Sequence, residues 1–100
     1  MVDSNSTEVF LADATLLSSI ADPMRLSMLA RLAGGTRCVC DLQTDPPIPA
    51  NLLSYHLRVL RDAGLVTGSR RGRWMDYTLA EDALERLQAA LPTAAVANRG

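Results

Sequence analysis

The sequence predicts a mainly α domain of the α+β kind, with about five short helices and one β-hairpin. Three observations predict it. Apolar residues recur at helical spacing along most of the chain. Gly and Pro pairs cut that pattern into short segments. Past Gly64 the pattern turns strand-like, around an Arg-Gly turn. One hundred residues fit one domain, placed at 8–91, between a disordered N-terminal tail (1–7) and a frayed C-terminal tail (92–100).

Each element follows from local signals. From Glu8 to Ile20, Val9, Phe10, Ala12, Leu16, Leu17 and Ile20 keep a helical period. Asp22-Pro23 is an N-cap followed by proline at the first helical position. The helix it opens carries Met24, Leu26, Met28, Leu29 and Leu32 and stops at Gly34-Gly35. A short helix is expected over Cys38 to Gln43, ended by Asp45-Pro46-Pro47-Ile48-Pro49, where proline cannot continue it. From Ala50 to Ala63, Leu53, Leu57 and Leu60 form one stripe and Asn51, Ser54, Tyr55 and Arg58 the opposite one. Gly64 fits the left-handed position that ends a helix. Leu65 to Arg70 and Arg73 to Leu79 read as two strands, with Arg71-Gly72 as the turn. A last helix, from about Ala80 to Leu91, aligns Leu84, Leu87 and Leu91 before Pro92 ends it.

Charge is distributed unevenly. All ten basic residues are arginine, and Met1 to Met24 holds four acids and no base. Asn51 to Arg73 holds Arg58, Arg61, Arg70, Arg71 and Arg73 against Asp62 alone, a local charge of about +4. A basic block in a neutral chain marks a polyanion-binding face. Helix, turn and amphipathic helix with a polar outer face is the helix-turn-helix pattern, whose second helix enters the major groove. The hairpin after it, tipped by Arg70, Arg71 and Arg73, reads as a wing suited to the minor groove or flanking phosphates. The fold expected is therefore a winged helix-turn-helix. Its expected DNA contacts are Asn51, Ser54, Tyr55, His56, Arg58, Arg70, Arg71 and Arg73. His56, the only histidine, either packs or touches DNA.

The order of elements and their residues resembles the ArsR/SmtB family of metal-responsive repressors. The carrying residues are Ala21-Asp22-Pro23-Met24-Arg25-Leu26, Cys38-Val39-Cys40-Asp41-Leu42, the block from Leu53 to Val66, and the wing from Arg71 to Leu79. The resemblance implies a dimeric repressor on double-stranded operator DNA, released when a metal or metalloid binds. It also implies that Cys38 and Cys40 are the sensing pair. Soft thiolates select soft ions, so the inducers expected are As(III), Sb(III), Cd(II) or Pb(II). The family's fuller motif has a third cysteine where this chain has Gln43, so one subunit offers only two thiolates. On a regular α-helix, residues two apart lie about 200° apart, so joint ligation by both sulfurs is expected to require that helix start to unwind. The alternative reading has no metal sensing, with structural or redox-responsive cysteines. The family's zinc site on the last helix needs histidine, which this helix lacks.

Dimerisation is expected through the first and last helices, by Val9, Phe10, Leu16, Leu17, Leu84, Leu87 and Leu91, because one small domain is expected to leave both apolar stripes uncovered. No apolar stretch spans a membrane and no secretory signal is visible, so a cytoplasmic protein with reduced cysteines is expected. A thiol enzyme is disfavoured, since only Arg37 stands near to activate the thiols. A protein-interaction module is disfavoured by the arginine pattern. No catalytic residue and no required cofactor is assigned.

Overall fold

The computed structural model describes residues 2–92, without the side chains of 2–6 and Val9. The order is α1 (Val2–Ser18), α2 (Pro23–Leu32), β1 (Arg37–Cys38), a 3₁₀ helix (Val39–Leu42), α3 (Ala50–Asp62), β2 (Val66–Arg71), β3 (Trp74–Leu79) and α4 (Ala83–Ala89). Four α-helices and the 3₁₀ turn thus stand where about five helices were expected. No helix among the described residues is long and apolar enough to cross a membrane.

Local chemistry explains the boundaries. The Asp22 carboxylate accepts from the backbone N–H of Met24 at 2.8 Å and of Arg25 at 3.1 Å, with Pro23 opening α2. At the end of α3, Gly64 takes φ 75°, Gly64 N–H donates to Arg61 O, and Leu65 N–H donates to Leu60 O. That is a Schellman cap, closed by the fully buried pair Leu60 and Leu65. Arg86 of α4 adds to it, donating to Gly64 O at 2.9 Å and Ala63 O at 3.0 Å.

The sheet is antiparallel in the order β1-β3-β2. Its inner face lays Val66 and Tyr77 on a core of Met28, Leu29 and Leu32 from α2, Leu42, the Leu53, Leu57 and Leu60 stripe of α3, and Ala83 and Leu87 of α4. The leucine stripe of α3 is buried as its spacing requires.

Several expectations need correction. α1 begins at Val2, ahead of Glu8, through polar residues that offer no apolar period for the sequence to be read by. The expected C-terminal tail lies outside the described residues beyond Pro92. Cys38 belongs to a strand absent from the expectation, and only a 3₁₀ turn follows it. The hairpin turn is Gly72-Arg73, not Arg71-Gly72, since Arg71 pairs with Trp74. Gly72 supplies the positive φ, 62°, at the first turn position, as the two-residue hairpin turns favour. α4 ends at Ala89, leaving Leu91 beyond it.

Candidate nucleic-acid interface and thiol pair

α3 separates its two stripes cleanly. Asn51, Ser54, Tyr55 and Arg58 are exposed, as is Arg61 one turn on from Arg58. No side chain caps the N-terminus of α3; the N–H groups of Leu52 and Leu53 both donate to Pro49 O, which leaves those of Ala50 and Asn51 at the positive end of the helix dipole. His56 does not join the outer stripe. It is 6 % exposed, and its Nδ1 lies 2.9 Å from Arg25 Nη1 and 3.9 Å from the Asp22 carboxylate. A guanidinium only donates, so Nδ1 accepts and the ring proton sits on Nε2. Arg25 also donates to Ser19 O at 2.7 Å, so His56 ties α3 to the α1–α2 junction. Of its two expected roles, the structure assigns packing.

Burial opposes ionisation of Asp22. Amide bonds from Arg25 and Met24 and the charge of Arg25 outweigh it, and the carboxyl titrates below its ordinary value.

The hairpin projects Arg70, Arg71 and Arg73, all exposed. Arg71 is already engaged: its Nε and Nη2 donate to both oxygens of Asp76, at 2.7 and 3.1 Å. Those bonds, with the charge of Arg71, hold Asp76 below the ordinary carboxylate range. Sequence reasoning missed Asp76; its spacing from Arg71 becomes meaningful only in the observed hairpin register. No such partner engages Arg70 or Arg73 among the described residues.

The two cysteines meet. Cys38 is extended, at φ −67° and ψ 149°, and caps the 3₁₀ helix with its sulfur, which accepts from Cys40 N–H at 3.4 Å. The Cys40 thiol donates to the same sulfur at 2.7 Å. That bond, slight desolvation and the charges of Cys38 and Asp41 push the Cys40 thiol above its ordinary value. The two sulfurs therefore converge with no unwinding, because Cys38 is not in a helix; the 200° separation does not apply. Cys40 is exposed and Cys38 half-buried, so a ligand can reach both. Among the described residues no three His, Cys, Asp or Glu side chains cluster to hold a metal ion. Gln43, standing where a third thiol was sought, is committed elsewhere. Its Oε1 accepts from Thr44 N–H and Ile48 N–H and its Nε2 donates to Ile48 O, bracing the proline turn before α3.

The expected dimer residues divide. Phe10, Leu84 and Leu91 are 62, 53 and 52 % exposed. Leu16 and Leu17 pack partly against the core, and Leu87, at 8 % exposed, lies within it. The side chain of Val9 lies outside the description. Exposed Leu26 and Leu84 line an apolar groove of about 290 Å³ with Ile20, Leu29, Ala30, Ala33 and Leu87.

Residues 22–67 match the family model described as bacterial regulatory protein, arsR family. The chain is 38% identical over 80 residues to the HTH-type transcriptional repressor SmtB of Mycobacterium tuberculosis, which covers 80% of this chain and 59% of that protein. It therefore spans about three fifths of that relative's length. It is 32% identical over 87 residues to the arsenical resistance operon repressor of Bacillus subtilis, covering 86% of this chain and 83% of that protein. A crystal structure of a possible transcriptional regulator for arsenical resistance superposes with a TM-score of 0.69 at 36% identity, covering 74% of this chain and 77% of that one.

Proposed function

The chain belongs to the arsR family of bacterial regulatory proteins, and from that premise we propose that it is a homodimeric transcriptional repressor whose operator complex is released when a thiophilic ion, As(III) foremost, is taken up by Cys38 and Cys40. Sb(III), Cd(II) and Pb(II) share that thiolate chemistry. One observation carries the reading: two thiols converge within reach of solvent beside a domain that presents an exposed polar helix stripe and an arginine-tipped hairpin. Asn51, Ser54, Tyr55 and Arg58 would read base edges, while Arg70, Arg71 and Arg73 would hold phosphates or the minor groove. With two thiolates from the protein, water or a small cellular thiol would complete the ion's shell. The second subunit would cover Phe10 of α1, Leu84 of α4 and Leu91 just beyond it, since large exposed apolar groups that share a surface mark an interaction site.

The test is a fluorescence-anisotropy titration against a duplex selected from a random pool by the wild-type chain. Arsenite should lower the affinity of wild type, while Cys38→Ser and Cys40→Ser should each bind DNA as wild type does and ignore arsenite. Release that persists in both serine variants would remove the pair from sensing.

The commitment of Gln43 to the turn favours a second reading, in which the bare dithiol answers an oxidant and closes to a disulfide. Release by peroxide but not by arsenite would select it.

A further inference from the structure

The thiol pair and the wing share one face of the sheet. Residues directly opposite in an antiparallel ladder project to the same side. Cys38 stands opposite Asp76, and Asp76 stands opposite Ser69. Arg71, two residues beyond Ser69, shares that side and reaches Asp76 diagonally. Core packing uses the other side, through Val66 and Tyr77. Cys38, Asp76 and Arg71 therefore form a row on the outer face, and the row ends in the wing.

Two structural routes lead from the cysteines towards the DNA-reading elements. The route to α3 runs through the 3₁₀ helix and the proline turn. It is tied down by Arg31, which donates to Asp41 O and Gln43 O, and by the three bonds of the Gln43 amide. The route to the wing crosses only β1, a strand of two residues paired at Arg37 with Tyr77 and at Cys38 with Asp76. A strand that short is the softer connection.

We propose that Asp76 couples the thiol pair to the wing: ligation of Cys38 and Cys40 shifts β1 against β3 and so changes how Asp76 presents Arg71 to DNA. Asp76 is a positioning residue; it acts through Arg71, whose side chain is 63% exposed and held by that carboxylate. The inference rests on the thiol pair being the effector site.

The experiment compares wild type, Asp76→Asn and Asp76→Glu as full chains, with thermal melting to confirm that each is folded. Arsenite uptake is followed by thiolate-to-arsenic absorbance, and duplex affinity is measured with and without arsenite. Wild type should lose about tenfold in affinity or more, in the usual range of coupling between sites, and Asp76→Asn less than about twofold. Uptake should be equal in both, and Asp76→Glu, which keeps a carboxylate, should restore part of the loss. Equal release by Asp76→Asn and wild type overturns the proposal, as does wild-type uptake without any change in affinity. If wild type takes up no arsenite, the sensing reading fails on its own, and coupling is read through iodoacetamide alkylation of Cys40. Bound duplex should slow that alkylation in wild type and not in Asp76→Asn; equal slowing in both, or none in wild type, overturns the proposal.

Discussion

Asp22 serves two elements with one carboxylate. It caps α2 through two backbone N–H groups, and it faces His56 of α3 at 3.9 Å. Asp22→Ala should cost about 1 kcal/mol at neutral pH, the usual worth of an N-cap. Because the folded state holds this carboxyl below its ordinary value, its contribution is present above the unfolded pKa and is lost as pH falls through the folded one. Urea midpoints of wild type and Asp22→Ala should thus differ at pH 7 and converge as pH drops through the carboxylate range, from about pH 5 downwards. A gap that stays constant into acid would show that capping does not depend on the charge. His56 shows the same interdependence. Its acceptor nitrogen occupies a guanidinium that would otherwise lose a partner in a half-buried site.

At the scale of elements, α3 and the wing carry different information. Arg58 lies on the exposed stripe of α3, and Arg73 sits in the turn Gly72-Arg73 with no ion pair among the described residues. Arg58→Ala should cost about 1–3 kcal/mol on the selected duplex if it reads a base, and much less on random DNA. Arg73→Ala should weaken both duplexes alike and reduce the salt slope by about 1, because a phosphate contact carries no sequence. Anisotropy titrations at several salt concentrations separate the two patterns. A loss confined to the selected duplex in Arg73→Ala would place the turn in base readout instead. The aim of α3 is itself set by neighbouring elements, since Arg86 of α4 fastens its C-terminal end and Gln43 braces the turn at its start.

For the whole molecule, the question is what covers the apolar side chains left outside the core. Leu84 and Leu87 stand three residues apart on α4, yet one is 53 % exposed and the other 8 %. Charge at the two positions should therefore act differently. Leu84→Asp should leave a folded chain that sediments as a monomer, and wild type should sediment as a dimer, because only the proposed assembled state would bury the carboxylate. Leu87→Asp puts a charge in the core and should lose the fold, visible as a lost cooperative melt. A wild-type monomer at micromolar concentration would leave the exposed leucines without the proposed partner.

The helix-turn-helix frame was legible because its signals are local. An Asp-Pro start, a glycine stop and a leucine stripe act within one or two turns of the residues they organise, so Asp22, Gly64 and the stripe of Leu53, Leu57 and Leu60 stand as their spacing implies. The exposed stripe from Asn51 to Arg58 follows from the same period. What depended on distant partners was not legible. Nothing in Arg37-Cys38 announces a strand; pairing with Tyr77 and Asp76 makes it one, and that pairing takes Cys38 out of a helix and turns its sulfur towards Cys40. His56 lies inward because it stands three residues after Leu53 and four before Leu60, on the buried stripe itself, and only its partner, Arg25, thirty-one residues earlier, depended on the fold. A one-residue shift of the hairpin turn moved Arg71 from loop to strand, and in a ladder of period two such a shift decides which face a side chain occupies. The sequence by itself determined where α2 and α3 start and stop and which face of α3 is polar, since backbone periodicity and capping are short-range. Only the tertiary structure decided which of the charged and thiol groups face one another, because strand register and helix packing are settled by contacts between residues far apart in the chain.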